Sequence, residues 1–308
     1  MRFVGITRLA PSPTGALHLG NARTFLVNWW MARQAGWRIV LRVEDIDGPR
    51  IKEGADELAM EDLRWLGIDW DEGPVYQTQR TERYGEAIER LIEGGYSYFC
   101  RCTRKDIELA ASAPNAGDGS AVYPGTCRDE KHGTGAVRFR VGEEIVEFED
   151  GFAGRQRFNV AKELGDFVIR KSDGTAAYQL AVVVDDVEMG VTEVVRGDDL
   201  LDSTPRQMLL YRALGWGEKV PRYWHLPLVV GVDGRRLAKR HGDTRLASYR
   251  EAGVPASRVL ELLARWCGME VQGRVGCAGD LLRQFELGRM SREKIVFTAD
   301  DEAYLRMR

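Results

Sequence analysis

The apolar run FVGITRL leads straight into APSPTGALHLGN, and a helical pattern follows at once. This succession of strand, stiff loop and helix constrains the fold more than any other stretch. Residues 3–9 read as a first strand. Between Leu19 and Ala35 the apolar positions Ala22, Phe25, Leu26, Trp29, Trp30 and Ala32 recur at helical spacing, and Gly36 is a natural stop. Such a turn belongs to a parallel α/β sheet, whose strand ends open onto a ligand crevice. Pro11 and Pro13 stiffen the approach, and Gly15 and Gly20 admit a ligand close to backbone. His18 falls where the helix begins. There the free N–H groups and helix dipole favour phosphate, to which the histidine can also donate. Taken alone, the loop is read more simply as a strained structural turn with a satisfied histidine.

The alternation continues. RIVLRV (38–43) is a second strand, and Glu53–Leu66 and Thr81–Glu93 are helices ended by Gly67 and Gly94. FVIRK (167–171) and TEVVR (192–196) restart the strand pattern. In Thr204-Pro205-Arg206-Gln207 the order of N-cap, proline at N1 and glutamine at N3 predicts a capping box. Between the halves, residues 96–165 differ: they hold three of the five cysteines, ASAPNAGDGSA and short β-like runs such as AVRFR. Residues after about 244 read mainly helical, with VLELLARW the clearest piece. No internal repeat stands out.

At 308 residues the chain has room for about two domains. No apolar run reaches the ~18 residues of a membrane span, and the N-terminus lacks the pattern of a secretion signal. An odd cysteine count without such a signal points to reduced thiols and a cytoplasmic protein. The net charge of −3 means that any polyanion must be met by a local basic patch. GRRLAKRHGD (234–243) is such a patch, although a charge run is most often a solvated turn. A histidine loop near the N-terminus, with a lysine loop about 200 residues on, suits adenylate formation. One holds ATP while the other meets the departing pyrophosphate.

With these segments assembled, the chain resembles a class I aminoacyl-tRNA synthetase of the glutamate group. His18-Leu19-Gly20-Asn21 stands where that class has HIGH, and Arg236-Leu237-Ala238-Lys239-Arg240 where it has KMSKS. RLAPSPTGALHLGNART, LRVEDID, WDEGPVYQTQR, DFVIRKSDGTAAYQLAVVVDD and RGDDLLDSTPRQMLLYRALGW extend the resemblance over most of residues 1–265. Asn21 replaces the last histidine of HIGH, Ala238 loses a hydroxyl and Arg240 replaces a serine. The resemblance implies an α/β, Rossmann-like parallel-sheet catalytic core in two halves, 1–95 and 166–243, around a small zinc-bearing insertion, 96–165. A short helical region, 244–308, would follow.

It also implies the site. Activating glutamate requires a free α-carboxylate while the ammonium and γ-carboxylate are fixed; an ammonium wants an anion, and a carboxylate wants arginine's fork or a phenol. By motif, Arg8 and Tyr178 meet the substrate's acidic end, Glu44 its ammonium, and Arg196 completes the polar wall. Leu9, Ala10, Pro11 and Ser12 form the substrate-contacting loop. His18, Gly20, Asn21, Arg236 and Lys239 meet ATP, supplied with Mg2+, and His18 and Lys239 are the catalytic pair. Singly, Arg8 and Glu44 read as ordinary ion pairs and Tyr178 as core.

Cys100-Arg101-Cys102 with Cys127 suggests zinc, although two buried thiols and a bystander fit too. The usual ligand set would add His132. The C-x-C-x20-Y-x3-C pattern instead resembles truncated relatives in which a tyrosine oxygen, here Tyr123, completes a structural zinc site. Cys267 and Cys277 read as inert buried thiols. Full glutamyl enzymes continue into helical anticodon-reading domains, whereas FELGRMSREKIVFTADDEAYLRMR resembles only the opening of that region. The truncated relatives attach glutamate to queuosine at the wobble base of tRNA(Asp), so loop 235–245 and the insertion would meet an RNA anticodon loop. The expectation is a monomeric enzyme, independent of membranes, that forms glutamyl-adenylate without tRNA. The alternatives are a glutamyl-tRNA synthetase catalytic fragment charging an acceptor end, or an inactive paralogue that only binds tRNA.

Overall fold

The computed structural model describes residues 5–103, 105–107, 122–235, 237 and 242–307. Strand β1 (Ile6–Leu9) and strand β2 (Arg38–Val43) pair in parallel, Arg8 opposite Val40, and helix α1 (Leu19–Ala35) joins them. Gly36, at φ 69°, ends α1 as its spacing predicts. Strand β3 (Glu72–Tyr76) adds in parallel to β2. The second half contributes β9 (Glu193–Gly197) and β10 (Arg222–Leu226), also parallel. The two halves meet where Thr192 N–H donates to Ile6 O (2.9 Å) and Thr192 Oγ1 accepts from Ile6 N–H (3.0 Å). This places β9 beside β1, joining the two parallel sets into the expected α/β core.

Between the halves, β4 (Ser97–Cys100), β5 (Ala136–Phe139) and β8 (Phe167–Arg170) form an antiparallel sheet. Strands β6 (Ile145–Asp150) and β7 (Gly154–Asn159) form a separate hairpin. One core packs α1 between β1–β2 and the C-terminal region: Trp30 is fully buried, stacks on Phe285 (4.9 Å) and donates its indole N–H to Ala278 O. A second core gathers helices Thr81–Glu93, Tyr178–Glu188 and Ser203–Ala213 against the insertion strands.

Several local expectations are corrected. Helix Ser203–Ala213 is preceded by Asp202, with no side-chain cap, so the capping box at Thr204 is absent. The Thr204 hydroxyl instead accepts from Arg196 Nη2 (2.8 Å), and a buried partner outweighs a local cap. The helix Thr81–Glu93 does end at Gly94 as its spacing predicts, and Gly95 (φ 73°) follows as the left-handed residue. After 244, α-helix among the described residues is confined to Leu246–Glu251, Ala256–Trp266 and Ala299–Arg306, with short 3-10 turns at Ala278–Leu281 and Leu287–Arg289. Gly268 and Gly273, both at positive φ, interrupt the helical pattern between the last two α-helices. Cys267 is buried as expected, but Cys277 is exposed, because it starts a surface 3-10 turn. No helix among the described residues is long and apolar enough to cross a membrane.

Candidate active site

Strand periodicity puts the charged groups on one face. Arg8 lies opposite Val40, so Val40, Arg42 and the following Glu44 share its side of the sheet, while Leu9 turns its side chain into the core. The loop after β1 is fastened over the end of β2: Glu44 N–H donates to Pro11 O (3.0 Å) and Lys52 N–H to Pro13 O (2.9 Å). Pro11 is buried, Ala10 partly so, and Ser12 is exposed.

Beneath this loop lies a network of two buried arginines, Arg8 and Arg42, and three buried carboxylates, Glu44, Asp185 and Asp186, joined at its edge by the partly exposed Arg80. Arg42 Nη1 donates to Asp186 Oδ1 (2.6 Å) and Nη2 to Glu44 Oε1 (3.2 Å). Arg8 Nη1 donates to Val195 O (3.3 Å), with Nε 3.8 Å from Asp186 Oδ1. Asp185 accepts from Gln77 (2.7 Å), Arg80 (2.7 Å) and the Tyr84 hydroxyl (3.0 Å). Tyr178 opens the helix that carries Asp185 and Asp186 two turns later, on the same side. Burial and the charge of Glu44 raise the Tyr178 phenol, against the pull of Arg196 and Arg8, so it stays a neutral hydroxyl beside all three. Burial also raises the Glu44 carboxyl, with Arg42 and Arg8 opposing.

Three donors in this cluster have no hydrogen-bond partner: Arg8 Nε, Arg42 Nε and Arg196 Nη1, all buried. An unpaired buried donor costs roughly 1–3 kcal/mol, and more when charged. The site therefore offers arginine N–H groups to an anion that the chain itself does not supply.

His18 caps α1, but not as the sequence predicts. Its Nδ1 accepts from Gly20 N–H (3.1 Å) and Asn21 N–H (3.3 Å), while Asn21 Oδ1 accepts from His18 N–H (3.4 Å). Leu19 N–H donates to Thr244 O (3.0 Å). The first helix donors are thus taken by the protein, correcting the expectation that free N–H groups await phosphate. Because Nδ1 accepts, the ring proton sits on Nε2, the remaining donor of the ring. Arg236 and Lys239 lie outside the described residues. The chain that leaves their loop returns to this turn, where His18 and Arg245 form an antiparallel bridge.

In the insertion, the sulfurs of Cys100, Cys102 and Cys127 lie within 4.8 Å of one another. The Tyr123 hydroxyl joins them, 3.4 Å from Cys100 Sγ and 3.6 Å from Cys102 Sγ. His132 is not in this group. Burial raises the Cys100 thiol, but hydrogen bonds from Tyr123 and Arg138 outweigh it and leave the thiol below its ordinary value. Three sulfurs and an oxygen at tetrahedral-edge separations suit zinc.

Residues 6–300 match the family described as tRNA synthetases class I (E and Q), catalytic domain. The chain belongs to this family and is a ligase of the aminoacyl-tRNA synthetase type. Within it, the chain is similar to the glutamyl-Q tRNA(Asp) synthetase of Rhodopirellula baltica, 51% identical over 287 residues and 87% of each chain. That of Symbiobacterium thermophilum is 48% identical over 318 residues and 97% of each chain. A solved glutamate tRNA ligase from Elizabethkingia meningosepticum, in complex with its amino acid, has a TM-score of 0.82 at 28% identity. The match covers 98% of this chain and 68% of that one.

Sequence reasoning missed Arg42, Asp185 and Asp186 beneath the site, and Asp150, Thr204 and His225 behind Arg196. The pairing of two adjacent acids in VVVDD with an arginine in a strand was the available signal. Nothing local marks Asp150.

Proposed function

We propose that the protein activates L-glutamate with ATP, without tRNA, and transfers it to queuosine at the wobble position of tRNA(Asp). The observation that carries the glutamate reading is the pair of unpartnered donors on Arg8 and Arg196 beside the neutral Tyr178 hydroxyl. A γ-carboxylate satisfies those donors, and Glu44 is the anion for the substrate ammonium. The α-carboxylate then attacks the α-phosphorus of ATP, forming the carboxyl–phosphate bond as pyrophosphate leaves with Mg2+. His18 Nε2–H and Asn21 hold the phosphates over Gly20, and Arg236 and Lys239 meet the charge gathering on pyrophosphate. A queuosine hydroxyl next attacks the activated carbonyl and AMP departs. The names of the relatives at 48–51% identity support the acceptor. Cys100, Cys102, Tyr123 and Cys127 would hold one zinc, which staples the insertion and has no open position for chemistry.

Glutamate-dependent exchange of labelled pyrophosphate into ATP tests activation, with and without tRNA. Charging of tRNA(Asp) with and without queuosine, beside tRNA(Glu), tests the acceptor. Exchange only in the presence of tRNA, or glutamate found on an acceptor end, would overturn the corresponding half of the reading.

A further inference from the structure

Behind the substrate-facing side of Arg196 stands a buried chain of three groups from three different strands. The parallel register of β9 and β10 sets Arg196 directly opposite His225. Arg196 Nε donates to His225 Nε2 (2.9 Å), and Arg196 Nη2 donates to Thr204 Oγ1 (2.8 Å) and Leu200 O (3.3 Å). His225 Nδ1 in turn lies 2.6 Å from Asp150 Oδ2. Asp150 and His225 are both almost wholly buried. Arginine Nε is only ever a donor, so His225 Nε2 must accept and the ring proton must sit on Nδ1, facing the carboxylate.

Asp150 comes from the insertion, at the end of the β6 strand. Its other oxygen, Oδ1, accepts three backbone N–H groups: Ala153 (2.7 Å), Phe152 (3.0 Å) and His225 (3.1 Å). The turn docks on β10 through Gly151 N–H, which donates to Tyr223 O (2.8 Å). A Cβ at Gly151 would lie 2.1 Å from the Trp224 indole nitrogen, so only glycine permits this approach. The Arg196 guanidinium also stacks over the Tyr223 ring (5.3 Å). Held on these sides, it keeps Nη1 buried and without a partner.

We propose that Asp150 and His225 are positioning residues: the carboxylate fixes the Nδ1–H tautomer of His225, which fixes Arg196 with Nη1 presented to the substrate carboxylate. This rests on the glutamate-activation reading above. Burial keeps His225 neutral, with Arg196 adding to that effect and Asp150 opposing it, so the ring is able to accept.

The geometry makes Asp150→Asn a sharp test. Three backbone donors require the amide oxygen at the Oδ1 position, so the amide NH2 must face His225 Nδ1. The ring then accepts at Nδ1 and carries its proton on Nε2, donor against donor with Arg196 Nε–H. The variant is isosteric, yet glutamate KM in pyrophosphate exchange should rise roughly ten- to a hundredfold, the range for losing a charge-assisted hydrogen bond, with a smaller change in kcat and in KM for ATP. His225→Gln changes the shape more, but its amide can accept from Arg196 and donate to Asp150. It should hold glutamate KM to within about threefold, as expected if the hydrogen-bond pattern is kept. A merely structural role predicts the opposite order. Nitrogen-15 NMR of the histidines reads the tautomer directly, on Nδ1 in the natural protein and on Nε2 in Asp150→Asn. An Nε2–H tautomer in the natural protein, or an unchanged glutamate KM in Asp150→Asn, overturns the proposal. Absence of glutamate-dependent exchange in the natural protein would instead remove the activation reading, and the tautomer would still decide whether the chain of bonds exists.

Discussion

His18 and Arg245 are bridged across 227 positions of sequence, so the turn that caps α1 and the exit of the basic loop are one piece of backbone pairing. Leu19 N–H to Thr244 O (3.0 Å) and Leu246 N–H to Leu17 O (2.9 Å) complete the junction. Asp243 braces it, bonded to Arg245 and accepting from the Ser248 hydroxyl (2.6 Å). The loop bearing Lys239 is thus anchored beside the proposed phosphate site on its exit side.

Lys239→Ala is therefore expected to lower kcat for pyrophosphate exchange by ~10²-fold or more, with a smaller change in glutamate KM, as for loss of a group acting on transition-state charge. A loss found wholly in glutamate KM would show that this loop is not the pyrophosphate clamp.

The purified protein should contain about one zinc per chain, as for a single closed site. Tyr123→Phe should lose it faster to a chelator, and His132→Ala should not. Metal analysis after timed chelation gives the answer, and the reverse pattern would make His132 the fourth ligand.

Asp186 bridges Arg42 and Arg8 in the buried network, and Asp186→Asn leaves two arginines without their shared anion. Breaking a buried pair from one side typically costs about 3–5 kcal/mol. A denaturant midpoint close to that of the natural protein would show that the network contributes little to stability.

The pH dependence of glutamate KM should carry the signature of Glu44. Its carboxyl is raised by burial, so it protonates at higher pH than an exposed glutamate. As pH falls, the anion for the substrate ammonium is lost early and KM rises. The same shift makes the folded state bind this proton more readily than the unfolded state, so protonation here favours the fold and acid unfolding is not its cause. Glu44→Gln should raise KM throughout and flatten this acid limb; an unchanged limb would assign it to another group.

The sequence made legible what is local. α1 and its glycine stop follow from spacing within one helix, and Arg8, Glu44, Tyr178 and Arg196 stand in motifs whose neighbours mark them. Thr204 misled because its hydroxyl, suited to a helix cap, is drawn to Arg196 from across the fold. The helix donors expected to meet phosphate were misread because a histidine ring nitrogen can accept where a serine oxygen usually does. Asp150 and His225 were invisible for a different reason. They lie 75 positions apart, and only the docking of one hairpin turn on one strand brings them together.

That docking gives the insertion a heredity of its own. With Gly151 pressed under Trp224 and Asp150 set against His225, residues 96–165 are not an exchangeable cassette. A chimera that trades this block for one lacking the Asp-Gly step would set a foreign neighbour against His225, the group on which Arg196 leans, however well its own strands folded. Any lineage that reshaped the insertion to suit a new RNA would have had to carry that dipeptide through unchanged, or rebuild the back wall of its amino-acid pocket in the same step.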